Sequence, residues 1–434
     1  MTLADWRLGP TIHYMITYQQ LRDVNPDMFA TAADDWLVVA KEAETAADDI
    51  YESDADGLED NWTDELGEQA RAECQKIAQD YHIAALASRG VLTVLDGFAD
   101  AVRMVKRNLE SAVDFATGAG LSVSDDGHVT VPPGNDDPRA AEQAARANEL
   151  VIDALTAATR IDEEARTALY DLVRQASIDT VMSEDEIAET VLNGPVKAAG
   201  LATLEMIKES MPLDESAEEQ TAWWHSLNPE QQREYMRAAP VELHDMAGIP
   251  DTVKRELIGN DGMNRVEMVR WAQQYGETEY RNIPGMANCT NFVSYAMHEG
   301  GGVPENADGI TPYDEDDWSQ DHDHWGIPGL NELDKQQQSA SWAAARNHHD
   351  YMLSHGGETV SPAEAMPGDI IYFENTEGIH HAAVVTAITP DGEIMYTQHT
   401  GEHTNLSLTD RQAFNNIYSG EDTPIIVRPH PDWI

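Results

Sequence analysis

Cysteine is nearly missing. Only Cys74 and Cys289 occur in 434 residues, so neither a disulfide framework nor a cysteine-rich zinc site can be built. Long apolar runs are missing as well. No stretch approaches the roughly 20 residues that span a bilayer, so a helical membrane insertion is excluded. The first six residues carry no basic segment followed by an apolar one, so no ordinary cleaved signal peptide is expected. Basic residues are scarce: 27 Lys and Arg stand against 79 Asp and Glu, a net charge of -52. Such a charge repels nucleic acid and anionic membranes, which are therefore not expected partners. We read it as a solubility property rather than a surface made for a basic partner. Repeats of roughly 20–50 residues are also absent. What remains is a chain with 41% hydrophobic residues, enough to build cores for two or three domains.

The first 115 or so residues read as helical. A segment from about residue 12 to 51 has Phe29, Ala33, Trp36, Val39 and Ala43 at three- and four-residue spacing. An acidic stretch over 52–61, with Gly57, reads as a turn. A second segment from about 63 to 115 carries Leu66, Ala70, Cys74, Ile77, Tyr81 and Val91 through Val105, with Gly90 and Gly97 as points where it could bend. Two such segments are expected to pack as an antiparallel hairpin, with Cys74 a small buried hydrophobe on its stripe. After a Gly, Asp and Pro-rich break at 118–137, Asp137 and Pro138 predict a cap and first turn for a third helix. Asn228 and Pro229 predict another, just after the pair Trp223–Trp224. From Met263 the character changes to short β-like runs, turns and most of the histidines.

Cys289 lies at the start of a short apolar helix predicted from Phe292, Val293, Ala296 and Met297 and stopped by Gly300–Gly302. A helix start offers unpaired N–H groups and a positive dipole end, which favour thiolate. Downstream, three predicted strands form a meander: 370–373, 380–388 and 394–399. If the 390–392 loop closes with Thr389 opposite Glu393, Ala383 falls opposite His399. His381 then sits one diagonal step away on the same face, about 7–8 Å between backbones. A Cys on a helix start packed against that face would complete a nucleophile, a base and a residue that orients it. His380 points to the opposite strand face and is the weaker base. The acidic run Asp314–Asp317 with Asp321, His322, Asp323 and His324 matches neither an EF-hand nor a zinc helix, and reads as a surface loop rather than a metal site.

These residues carry a resemblance. From about Met263 to the end, the chain resembles the amidase domain of the NlpC/P60-like, papain-like cysteine hydrolase superfamily. The matching stretches are 265–272, 288–294 (Asn-Cys-Thr-Asn-Phe-Val-Ser), Gly300–Gly301, Ser341–Trp342, 368–372 (Gly-Asp-Ile-Ile-Tyr), 381–386 (His-Ala-Ala-Val-Val-Thr) and 398–400 (Gln-His-Thr). The family's first motif usually begins with Asp, where this chain has Asn288. The resemblance implies Cys289 as nucleophile, His381 as base and His399 as the polar residue that orients it. Asn288, Asn291, Trp342 and Gln398 line the site, and no metal or cofactor takes part. The chemistry would be acyl transfer to sulfur.

The N-terminal hairpin resembles WXG100-like modules of proteins exported by type VII-like systems, with Trp62 near the turn and the glycine displaced to Gly67. That resemblance implies export without a signal peptide, and a helical secretion partner or an immunity protein. The expected organisation is α+β: a helical module over 1–118, a helical linker region over 119–260 and a papain-like hydrolase over 261–434. The expected function is a secreted cysteine amidase or peptidase, with peptidoglycan stem peptides as a substrate class. The alternatives are a non-catalytic interaction protein of a secretion system, or a toxin-type deamidase or acyl transferase. A cytoplasmic location is the alternative to secretion.

Overall fold

The computed structural model describes residues 15–51, 62–174, 182–187, 190, 194, 196–282, 287–307, 317–320, 338–400, 403–418 and 422–434. The turn expected at 52–61 and most of the acidic stretch 314–324 lie outside them. The protein is α+β, a mostly helical N-terminal region followed by a C-terminal antiparallel sheet.

The first helical segment is two helices, α1 (Tyr18–Asp23) and α2 (Asp27–Ile50), not one. Pro26 disfavours helical backbone at Asn25, so the chain leaves the helix and restarts after the proline. The long helix α3 (Glu65–Gly118) runs through Gly90 and Gly97 without a break. A Cβ at these glycines would lie 2.6 Å from Leu172 and 2.4 Å from Thr203, so they permit close helix packing rather than a bend. The buried stripe of α2 is Ala33, Ala40 and Ala47, while Trp36 and Val39 are exposed. Small residues let α2 lie close on α3 and turn the larger ones outward. Cys74 is only half-buried.

A two-stranded ribbon, β1 (Ser122–Val123) and β2 (Val129–Thr130), turns at Gly127, whose φ is 87°. Then come α4 (Ala140–Arg174), α5 (Glu184–Ile187), α6 (Lys197–Glu209) and α7 (Ala217–Ser226). Helix α8 (Pro229–Ala238) has the cap its sequence predicts. The Asn228 side chain accepts from the N–H groups of Glu230 and Gln231 behind a first-turn proline. Helices α9 (Pro240–Asp245), α10 (Asp251–Ile258) and α11 (Arg265–Tyr275) lead into the C-terminal region. There α12 (Cys289–Tyr295) continues as a π turn to Gly300, followed by α13 (Ala340–Ala343) and α14 (Ala345–Ser354). Strands β3 (Glu358–Val360), β4 (Ile370–Asn375), β5 (Gly378–Ile388), β6 (Ile394–Gln398) and β7 (His403–Ser407) precede α15 (Leu408–Tyr418) and β8 (Thr423–Arg428).

The expected three-strand meander is the centre of a six-stranded antiparallel sheet, ordered β3-β8-β4-β5-β6-β7. Both faces are covered. Ile370, Tyr372, Ala382 and Val384 face Phe292, Val293, Ala296 and Met297 of the Cys289 segment. Ile371, Phe373, Ala383 and Val385 face Ile83 and Leu86 of α3. Burial on both faces is why β5 reads as one continuous apolar run instead of alternating. Met104 and Leu204 likewise share a core with Ala387 and Met395. The helical region and the sheet therefore share hydrophobic cores across residue 260.

Asp369 ties the start of β4 to two other elements. It is fully buried and pairs with Arg265 Nη1 at 3.0 Å and with Arg428 Nη2 at 3.0 Å. Its carboxylate also accepts the Met366 N–H at 2.9 Å. A buried carboxylate holding two guanidiniums and a backbone N–H has its lone pairs used, which is what makes such a group tolerable in a core.

Candidate active site

Cys289 is the first residue of α12 and is 4% exposed. The turn before it is anchored by the Asn288 N–H, which donates to Thr400 Oγ1 at 2.8 Å, tying the helix start to the end of β6. Phe292, Val293 and Ser294 bury the body of α12, so the helix tip cannot swing away from the sheet.

The surroundings act on the thiol in opposite senses. Burial pushes its pKa up. The charge and hydrogen bond of His381, with smaller help from the Thr290 hydroxyl and the Ala382 backbone, draw it down further, from an ordinary 9.0 to about 6. Thr290 Oγ1 lies 3.7 Å from the sulfur. His381 Nε2 is 2.7 Å from Gln398 Oε1, so Nε2 donates to that carbonyl and Nδ1 is left for the thiol.

This arrangement differs from the expected register. Thr389 does meet Glu393, its N–H donating across the turn at 3.0 Å. Ile388 pairs with Ile394 and Ala387 with Met395, but then Thr386 is bulged out and Val385 pairs with Tyr396. One extra residue reverses the parity of everything beyond it. Continued past Val384 and Thr397, the register sets Ala383 opposite Gln398, not His399. Gln398 therefore shares the face of His381. The bulge is held by Thr386 Oγ1, which donates at 2.6 Å to Asn405 Oδ1 on β7, the strand beyond β6.

His399 is packed beneath the helix start. It is 1% exposed and its ring stacks on Phe292 with centroids 4.1 Å apart. Its Nε2 donates to the Tyr275 carbonyl at 2.9 Å, and its Nδ1 meets the Asn282 side-chain amide at 2.7 Å. Asn291 and Trp342 are joined to each other: Trp342 Nε1 donates to Asn291 Oδ1 at 3.0 Å, while Asn291 Nδ2 donates to the Arg281 carbonyl at 2.8 Å. His380 is exposed and lies 3.0 Å from Asp422, away from the thiol. The structure thus brings Cys289, His381 and Gln398 together and sets Asn291 and Trp342 into the supporting wall. Thr290, Thr400 and Asn282 were not singled out from the sequence. Thr290 and Thr400 lie within the matching stretches 288–294 and 398–400, whereas nothing in the local pattern marks Asn282.

Among the described residues no group of three His, Cys, Asp or Glu side chains is placed to hold a metal ion, and no helix is long and apolar enough to cross a membrane. Residues 262–420 match the family described as "Putative amidase domain". No curated protein and no solved structure matches the chain.

Proposed function

We propose that the protein is a cysteine amidase or peptidase with a papain-like catalytic arrangement, in which Cys289 is the nucleophile and His381 the acid and base. The family match over 262–420 supports amide hydrolysis in general. The observation that carries the finer reading is a buried thiol at a helix start, hydrogen-bonded to His381 and held near pKa 6. A thiolate poised near neutrality is what attack on an amide carbonyl requires.

In this reading the Cys289 sulfur attacks the carbonyl carbon, and N–H groups at the start of α12 receive the developing oxyanion. The C–N bond breaks as His381 gives its proton to the leaving amine. His381 then takes a proton from water, the resulting hydroxide attacks the thioester, and the C–S bond breaks to give a carboxylate and restore the thiolate. Gln398 keeps the His381 ring turned so that Nδ1 faces the sulfur; it is a positioning residue. His399 and Phe292 support the helix start from below.

We assign peptide stems of peptidoglycan as the substrate class, and export by a type VII-like route as the way the protein meets them. The decisive experiment is release of new amines and carboxylates from purified peptidoglycan. Cys289→Ala should lower the rate by roughly 1000-fold or more, as removal of a covalent nucleophile does. Hydrolysis that survives Cys289→Ala would refute the nucleophile. Loss of a free ammonium from a glutamine side chain, without chain cleavage, would identify a deamidase instead.

A further inference from the structure

A cavity lies away from Cys289, at the seam between the linker helices and the sheet. It measures about 300 Å³ and is closed by α8, α10, the first residues of α11 and the turn that leads into β4. Met236, Leu257, Val266, Met366 and Pro367 make its walls apolar, and Met366 stays 40% exposed at the mouth. Such a cavity with a few convergent polar groups is the usual form of a small-ligand site.

The polar side chains here are three arginines and two glutamates. Arg233 and Arg237 stand one turn apart on α8 and both line the cavity. Among the described residues neither forms an ion pair, and the one polar contact of the Arg237 guanidinium is the Ala365 carbonyl at 3.5 Å. Burial lowers the Arg237 pKa, with no neighbouring carboxylate to offset it. This is unexpected in a chain where acids outnumber bases 79 to 27. Arg265 also lines the cavity, but Asp261 and Asp369 already satisfy it at 2.8 and 3.0 Å. Of the two acids in the wall, Glu364 is taken up by the Ser361 hydroxyl at 2.6 Å, and Glu256 forms no ion pair with either arginine. A half-buried guanidinium cannot shed its charge, so it calls for an anion.

We propose that this cavity binds an amphiphilic carboxylate: the carboxylate seated on Arg237 with Arg233 at the rim, and the hydrocarbon body against Met236, Leu257, Val266 and Met366. Two sources share that chemistry, a free fatty acid and the apolar C-terminal residue of a peptide. The site is independent of Cys289.

The test uses the full chain and calorimetric titration with decanoate, 1-decanol and an acetylated dipeptide ending in a free leucine carboxylate. Decanoate or the dipeptide should bind, and 1-decanol should bind at least about tenfold more weakly, the worth of a charge-assisted hydrogen bond. Tighter binding of decanoate identifies a fatty acid as the source, and tighter binding of the dipeptide a peptide terminus. R237Q should weaken binding by a similar factor. R233Q, at an exposed position, should do so by a smaller one. M366W, which fills the mouth and leaves both arginines in place, should abolish binding, and undiminished binding by M366W counts against this cavity. C289A should bind as the unaltered protein does. Equal binding of decanol and decanoate, undiminished binding by R237Q, or no binding of either carboxylate overturns the proposal.

Discussion

The Cys289 thiol is pulled in two directions, and the difference between them can be measured. Burial alone would raise its pKa, and His381 reverses that to about 6. The rate of alkylation by iodoacetamide should therefore rise through an inflection near pH 6 and level off above it, since the thiolate is the reacting form. In His381→Ala the main lowering influence goes, and the burial remains. The inflection should then move up toward or beyond the ordinary 9.0. Cys74 serves as an internal reference on the same chain, resolved from Cys289 by peptide mass. An inflection unchanged by the histidine substitution would mean that His381 does not set the thiol, and the proposed chemistry would lose its base. The result concerns one pair of side chains and does not depend on knowing the substrate.

At the scale of elements, the bulge at Thr386 decides which residue faces His381. Gln398→Ala should lower kcat roughly 10- to 100-fold with little change in KM, because it frees the imidazole to rotate without removing a substrate contact. A KM effect alone would make Gln398 a binding residue. The parity that brings Gln398 to this face is not legible in the sequence. It depends on a hydrogen bond from Thr386 to Asn405, 19 residues away, and Asn405 itself adopts φ 53°. The cap at Asn228 was legible because it is local: with Pro229 it needs nothing beyond its own turn. The strand order was not, since β8 comes last in the chain and inserts between β3 and β4. The α2 stripe was misread for a similar reason. Spacing alone cannot say whether Ala33, Ala40 and Ala47 or Trp36 and Val39 meet the partner helix. The same close packing makes Gly97→Ala a sharp probe of α3. Its new methyl would meet Thr203, which is buried and already donates to the Thr93 and Ala199 carbonyls at 3.1 and 3.0 Å. The expected loss is about 1–3 kcal/mol in urea unfolding, typical of overpacking. A neutral result would show that α3 and α6 can separate at little cost.

Across the whole molecule, the helical region meets the sheet through carboxylates facing one another. Asp96 from α3, Asp391 and Glu393 from the β5–β6 connection and Asp410 from the first turn of α15 surround a cavity of about 110 Å³, and Asp100 of α3 adjoins Asp96 and Asp391. The contacts are direct. The Asp391 N–H donates to Asp100 Oδ2 at 3.0 Å, and Thr93 Oγ1 donates to Asp410 Oδ2 at 3.0 Å. Burial first, then the neighbouring acids, raise Asp96, Asp100 and Asp410 each to about 7, against the opposing pull of Arg103 on the first two and of Thr93 and Arg89 on Asp410. Glu393 is also raised, by burial and by Asp391, despite its bonds to Ser407 and Thr409. In an unfolded chain such aspartates titrate near 3.9. Between about pH 4 and 7 these carboxyls therefore hold more protons in the folded protein than in the unfolded one, and their contribution to stability falls as pH rises through that window. The contribution is complete below the unfolded value and lost above about pH 7. The melting temperature should accordingly be higher at pH 5 than at pH 8. Relief of general repulsion at a net charge of -52 would act in the same sense, so the slope alone does not locate the cause. Asp100→Asn with Asp410→Asn separates the two. That pair should raise the melting temperature at pH 8, leave it nearly unchanged at pH 5, and flatten the profile between. Asp125→Asn with Asp136→Asn removes the same two charges from exposed positions and should leave the slope standing. If both pairs flatten it equally, the pH response belongs to total charge and the buried seam has no part in it.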